Sequence, residues 1–218
     1  MGSRVTQRRS SWAPAGDAQD YVGRVSWDPA GDDQGYAGRV PWARREMTMT
    51  GDQAKAVAES MLKMWQFEFP ATCRVLEAVK EDNRAYKPDE KSRSAWEIAT
   101  HLATADIWFL QSVIDGNFAW DPEAAKKAEA QFKSVNDVVA FYKSTFPAKV
   151  QEVRAMSGER LAADNSFFGM ITWPNVDFIA FGNNHSVHHR GQLAAYLRAM
   201  GSKVPAIYGG SADEPMPM

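Results

Sequence analysis

Three of the four histidines in this chain lie within five consecutive residues, and this cluster is where the sequence could do chemistry. They are His185, His188 and His189, and the fourth is His101. An α-helix turns by about 100° per residue, so His185 and His189 project from the same side, one turn apart. Two imidazoles in this arrangement can bind one divalent cation, and His101 is the candidate for a third ligand.

The same helix face predicts which side chains surround the histidines. Phe178, Phe181, Gln192 and Tyr196 lie within about 40° of His185 on the helical wheel, so the histidines interrupt a stripe that otherwise resembles a core face. Gln192 and Tyr196 are therefore candidate pocket-lining residues. Packing and hydrogen bonding within the core is the alternative role for each of them.

The remaining residues of the cluster have other assignments. His188 lies about 100° from His189 on the wheel, too far round to bind the same metal, and we assign it a packing or supporting role. Arg190 points away from the ligand face and is assigned to a salt bridge. Gly191 is assigned to a close approach between helices.

A carboxylate that could assist catalysis is hard to find near the histidine pair. Residue 186 is Ser, so the His-Glu-x-x-His arrangement of metalloproteases, in which Glu is the general base, is absent. Glu97, one turn before His101, is the nearest carboxylate by helical spacing. It is the candidate catalytic residue. Its predicted role is to orient an imidazole or to accept a proton from a metal-bound group. Capping of the helix is the alternative role, and the one that we favour.

Three neutral imidazoles suit zinc, nickel or ferrous iron. A set of three protein ligands also leaves coordination positions open, as catalytic metal sites do. The alternative is that the histidines are hydrogen-bonded core residues without a metal.

Composition restricts the function classes. With 44% apolar and 24% charged residues, the 218-residue chain is typical of a globular protein with one domain, or one domain and an appendage. A net charge of -2 gives no reason to expect nucleic acid or an anionic membrane as partner. The single cysteine excludes an intramolecular disulfide and a thiolate cluster. No long apolar run or signal core is present, so we expect a cytoplasmic protein.

Residues 1–48 differ from the rest of the chain. The segment 11–25 is nearly repeated by 26–40, and a third copy begins at Pro41-Trp42. This Gly-, Pro- and Asp-rich repeat is too short and polar for the usual repeat folds, so we predict a disordered tail. A recognition segment built from its spaced Trp and Tyr residues is the alternative.

Residues 49–218 have the pattern of four helices. The first is predicted from Asp52 to about residue 82, kinked or split by Pro70, and the second runs from Ser94 to Gly116. Ser94 and Glu97 match a capping box, as do Ser134 and Asp137 at the start of the third helix.

The third helix is predicted to end near Gly158, with a kink at Pro147, and the fourth to run to Met200 with Pro174 in its first turn. Segment 116–133 is predicted to be a long crossover and segment 159–173 an irregular connection, and no strand pattern is found. The prediction is an all-α four-helix bundle, with a metal held between facing helices.

Several spaced motifs resemble the DinB/YfiT-like superfamily, which is unrelated to the DNA polymerase that shares the name. They are Trp96-Glu97-Ile98-Ala99-Thr100-His101-Leu102, then His185-x-x-His188-His189-Arg190-Gly191-Gln192-Leu193, Tyr196-Leu197-Arg198, Gly201, Val204-Pro205 and Tyr208-Gly209. The resemblance runs from about residue 51 to the C-terminus. It implies a four-helix bundle with a divalent metal bound by His101, His185 and His189. It also implies transfer or isomerisation chemistry with a low-molecular-weight thiol.

Two function classes follow from these observations. The first is a metal-dependent enzyme, a thiol S-transferase or else a hydrolase, that acts on a small molecule. The second is a non-catalytic, stress-related bundle that binds a metal or ligand. Homodimer formation is a further expectation.

The predicted tail gives a first testable prediction. Because the Gly, Pro and Asp content of residues 1–46 cannot bury enough surface to offset the entropy of ordering, a chain that starts at Met47 should be as stable as the full chain. We expect the two melting temperatures to differ by a few degrees, which corresponds to about 1 kcal/mol or less. A much larger decrease in thermal unfolding experiments would show that the Trp and Tyr residues dock on the bundle.

Overall fold

A computed structural model describes residues 49–119 and 121–215, and the predicted tail lies outside them. Four long helices form the bundle: α1 (Gly51–Glu77), α2 (Ala95–Asp115), α4 (Val135–Arg154) and α6 (Asp177–Ala199). Both α1 and α2 contact α4 and α6, so the four helices enclose one core. The predicted four-helix architecture is confirmed. Within the described residues no helix combines the length and hydropathy needed to cross a bilayer.

Shorter elements fill the connections. A 3-10 helix at Glu81–Asn83 follows α1, α3 (Pro122–Ala130) lies between α2 and α4, and α5 (Gly158–Ala162) follows α4. Strands β1 (Asp164–Phe167) and β2 (Ile171–Pro174) form an antiparallel hairpin, with Asp164 opposite Pro174 and Phe167 opposite Ile171. The predicted crossover therefore contains the helix α3, and the connection predicted to be irregular contains α5 and the hairpin. The expectation that the chain has no strands is wrong.

Side-chain caps fix the helix starts where the sequence predicts them. The Ser94 Oγ accepts from the Glu97 backbone N–H at 3.1 Å, and the Glu97 Oε2 accepts from the Ser94 backbone N–H at 2.6 Å. Ser134 and Asp137 make the same reciprocal pair before α4. Gly116, at φ +67°, ends α2 in the left-handed conformation that favours glycine.

Several predicted boundaries and roles are wrong. Helix α1 ends at Glu77 rather than near residue 82. Of the two effects predicted for Pro70, a split is excluded, because α1 continues through this residue. Helix α4 ends at Arg154, and Pro174 is the last residue of β2 rather than part of α6, which begins at Asp177. The close helix approach occurs at Gly182, where an added Cβ would lie 2.6 Å from Trp65, whereas Gly191 has open space.

A buried ion pair ties α6 to α1. Arg190, only 1% exposed, places Nη2 at 2.7 Å from the Glu68 Oε2 and donates from Nη1 to the Thr72 Oγ1 at 3.3 Å. The Tyr208 hydroxyl donates to the same Glu68 oxygen at 2.9 Å, which also fixes the C-terminal segment. This confirms the assignment of Arg190 to a salt bridge. Such a pair is costly to break, because removing one partner leaves the other charge buried and unpaired.

A buried carboxylate joins three of the long helices. Asp106 on α2 has no exposed surface, and its Oδ2 accepts from the Tyr142 hydroxyl of α4 at 2.8 Å and the Ser186 hydroxyl of α6 at 2.7 Å. Burial raises the pKa of Asp106 to about 7, although both hydroxyls favour the charged form.

The raised pKa of Asp106 makes a pH-dependent contribution to stability. Between about pH 4 and pH 7 the folded state retains a proton that the unfolded chain releases, so the parent loses stability as pH rises through this window. The Asp106→Asn variant lacks this contribution. We expect its free energy of unfolding, relative to the parent, to increase by roughly 2–4 kcal/mol from pH 4 to pH 7, as measured by urea unfolding. A pH-independent difference between the two proteins would show that Asp106 does not take up a proton in this range.

Candidate metal site

Helices α2 and α6 bring three histidines together at their contact. One nitrogen from each of His101, His185 and His189 lies within 4.8 Å of the others. The ring of His101 lies 5.2 Å from that of His185 and 4.7 Å from that of His189, centroid to centroid, and the two rings on α6 are 4.4 Å apart. In residues 49–119 and 121–215 no other group of histidine, cysteine or acidic side chains is arranged in this way.

The core hydrogen bonds position this cluster. Ser186, which follows His185 directly, is bonded to Asp106, five residues after His101 on α2. Arg190, which follows His189, is held by Glu68 of α1. His185 and His189 are therefore each next to a buried polar side chain that fixes the rotation of the helix.

Hydrogen bonds to Nδ1 orient two of the imidazoles. His101 Nδ1 lies 3.2 Å from the Glu129 Oε1, and His189 Nδ1 lies 2.8 Å from the Gln192 Oε1. Because both oxygens are acceptors, Nδ1 of each neutral ring is the donor, and the lone pair is on Nε2. Both rings therefore have the tautomer in which Nε2 can bind a metal.

Of the three histidines, His185 gives the clearest indication that the site can hold a cation. Its Nδ1 is buried and has no hydrogen-bond partner in the described part of the chain. Burying a polar atom without a partner is unfavourable. A metal ion would provide the partner, because an imidazole nitrogen donates its lone pair to a cation. The histidine cluster therefore has the chemistry of a metal site.

Electrostatics favour the neutral, metal-binding form of the α6 pair. Burial, with a smaller effect of the neighbouring histidines, lowers the pKa of His185 to about 3. Burial and His101 lower the pKa of His189 to about 4. Near pH 7 both rings are neutral, so a metal does not have to displace protons from them.

One side of the site is apolar and the other is accessible. The Phe109 ring lies 5.2 Å from that of His185 and 5.7 Å from that of Phe181, centroid to centroid. These rings form an apolar wall beside His185. All three histidines remain partly exposed.

The catalytic role predicted for Glu97 has no support from its position, and the alternative capping role is observed. Its Oε2 accepts from both the backbone N–H and the hydroxyl of Ser94, and Lys87 lies 3.6 Å away. The Ser94 N–H holds the pKa of Glu97 below its usual value. Glu97 is not part of the histidine group, so its catalytic role stays a prediction.

The other predicted residues lie around the cluster at different distances. Gln192 contacts His189 directly, whereas Tyr196 packs edge-on against Tyr86 at 5.6 Å. His188 is exposed, and the centroid of its ring lies 5.0 Å from that of the His189 ring.

Sequence reasoning missed Glu129. It lies on α3, whose sequence has no apolar stripe, so this segment is predicted only as part of a long crossover. A usable signal was present, because Asp121 and Pro122 form a typical helix start before a run of strong helix formers. In the structure the Asp121 Oδ1 accepts from the backbone N–H groups of Glu123 and Ala124.

Comparisons with known proteins agree with this fold. YrdA of Bacillus subtilis is 27% identical over 157 residues, which cover 72% of this chain and 90% of YrdA. The DinB-like protein YjoA of B. subtilis matches in structure with a TM-score of 0.53 and 23% identity, over 67% of this chain and 95% of YjoA. A DinB-like protein of Bacillus cereus matches with a TM-score of 0.57 and 24% identity, over 69% of this chain and 97% of that protein. At these identities the two structures support the fold alone.

The family assignment rests on a longer match. The model of the DinB family matches residues 48–216, which include the four long helices and all three histidines of the cluster. The chain therefore belongs to the DinB family.

Proposed function

We propose that this protein binds a divalent transition-metal ion through His101, His185 and His189 and uses it for thiol-dependent S-transfer to a small molecule. The observation that carries the proposal is the convergence of three imidazoles, whose ligating atoms lie within 4.8 Å of one another. Zinc, nickel and ferrous iron are the cations that such a ligand set suits.

An open coordination sphere follows from the ligand count. In the described residues the group contains three histidines and no fourth protein ligand. A closed structural site would have a fourth ligand, so a three-ligand site is typical of a metal that also binds water or substrate. When bound, such a cation lowers the pKa of a thiol or a water molecule enough to create a nucleophile at neutral pH.

The thiol must come from outside the protein. Cys73 is the only cysteine of the chain and lies buried in α1. Burial raises the pKa of its thiol to about 11, so it is protonated and inaccessible at neutral pH. A low-molecular-weight thiol is therefore the proposed cosubstrate.

The positions of the carboxylates support a thiol over water as the nucleophile. In zinc hydrolases of the metalloprotease type, a carboxylate beside the metal acts as the general base. Glu97 is engaged in the cap of α2, and Glu129 contacts the Nδ1 of His101 rather than the space between the three rings. Hydrolysis and non-catalytic metal binding are the outcomes that the experiments below distinguish from S-transfer.

Replacement of one ligand tests the metal site. We expect the His185→Ala variant, purified without a histidine tag, to lose its metal in elemental analysis, because only two imidazoles remain. The matched control is His188→Ala, an exposed histidine three positions away, which should retain the metal of the parent. A chelator should also lower the melting temperature of the parent, because a ligand that binds the folded state stabilises it. Equal metal contents in the two variants would exclude the proposed ligand set.

The choice of nucleophile is tested by following thiol consumption. Metal-loaded protein is mixed with a panel of electrophiles and with glutathione, bacillithiol or mycothiol, each in turn. We expect at least one thiol to be consumed in the presence of the parent, and no consumption above background with His189→Ala, because the second histidine of α6 is lost. Hydrolysis of esters or amides without any thiol would contradict the S-transfer proposal. The absence of turnover in both assays would instead support a binding protein.

A further inference from the structure

We propose that Glu129 is a positioning residue for the metal site, which holds His101 in the orientation and tautomer that bind the cation. This inference rests on the proposed metal site and adds a residue to it. The residue comes from α3, outside the four long helices.

The first observation is the contact itself. The Glu129 Oε1 lies 3.2 Å from the His101 Nδ1, with the two side chains 33% and 16% exposed. A carboxylate on Nδ1 makes this nitrogen the donor, so that the lone pair of the ring is on Nε2. A carboxylate that accepts from the other ring nitrogen of a ligating histidine fixes the orientation of the ring and supports its bond to a metal.

The second observation is that His101 is alone on its helix. It is the single ligand from α2, whereas His185 and His189 lie one turn apart on α6, and His189 is oriented by Gln192 of the same helix. In the described part of the chain the hydrogen bond to Glu129 is the one side-chain hydrogen bond of the His101 ring. The orientation of His101 therefore depends on a residue from another element.

The third observation is that core packing does not explain the position of Glu129. None of the nine residues of α3 is buried, and the principal helix contact of α3 is with α2. Phe132, two residues beyond α3, is buried and packs edge-on against Phe141 at 5.2 Å. This anchor fixes the end of α3 independently of Glu129, so replacement of Glu129 removes a contact to the site without opening the core.

A set of four variants separates positioning from fold. The variants are Glu129→Ala, Glu129→Gln, the ligand control His185→Ala and the helix control Glu123→Ala, which removes the other glutamate of α3. Zinc affinity is measured by competition with a chromophoric chelator. The cobalt-substituted proteins are compared by their visible spectra, and the metal-free proteins by thermal unfolding.

We expect Glu129→Ala to weaken zinc binding by about 10- to 100-fold and to change the cobalt spectrum. Glu129→Gln should restore part of the affinity, because the amide oxygen still accepts from Nδ1 although the charge is lost. Glu123→Ala should bind zinc like the parent, and the melting temperatures of the metal-free Glu129 variants should match that of the parent.

Two other results are decisive in different ways. If Glu129→Ala binds zinc and cobalt like the parent while His185→Ala does not, the positioning role is wrong and the metal site stands. If His185→Ala also binds like the parent, the metal site itself is wrong, and the inference about Glu129 falls with it.

Discussion

The hydrogen bonds of the Asp106 carboxylate set the register of the helices on which the candidate site depends. One oxygen of Asp106 accepts from Tyr142 of α4 and Ser186 of α6, deep in the bundle. A shift of α6 along α2 would leave these buried groups without partners, at a cost of about 1–3 kcal/mol for each of them. Because Ser186 follows His185, the same bonds place the α6 histidines opposite His101.

The rotation of α6 directs one face of the helix into the core and leaves the side chains of His185 and His189 at the edge of that face. The buried stripe of this helix contains Ser186 and Arg190 among its apolar residues, and the histidines lie one position before each of them. The helical wheel predicts a core stripe on the histidine face, because a core is expected to be apolar. In the structure two polar residues occupy core positions, so the histidines lie at the edge of the core, where they are partly exposed. Both polar residues are satisfied, one by Asp106 and the other by Glu68.

Most features of this fold that the sequence predicts are determined by residues close together in the chain. The start of α2 was predictable because the Ser94 and Glu97 cap is a local hydrogen-bond pattern, and its end because Gly116 adopts a positive φ. The hairpin was not, since each strand has four residues and β1 has the polar sequence Asp164-Asn165-Ser166 before its one aromatic residue. The pairing of His101 with the α6 histidines was predictable from residue type. The partners of Asp106 and Glu129 were not, because they depend on contacts between elements distant in the chain.

The residues of the candidate site lie on elements that differ in burial. The three histidines lie on α2 and α6, which are held by the core, whereas Glu129 lies on a helix with no buried side chain. Changes in α3 would alter the polar groups around His101 without opening a cavity in the core, so the cost to folding would be that of a surface substitution. A change at Ser186 or Arg190 would instead affect the core and the site together, because each of these residues lies in the buried stripe and directly follows a histidine. The bundle therefore fixes the positions of the three histidines, and a helix that packs outside it supplies one of the polar groups beside them, the carboxylate that contacts His101.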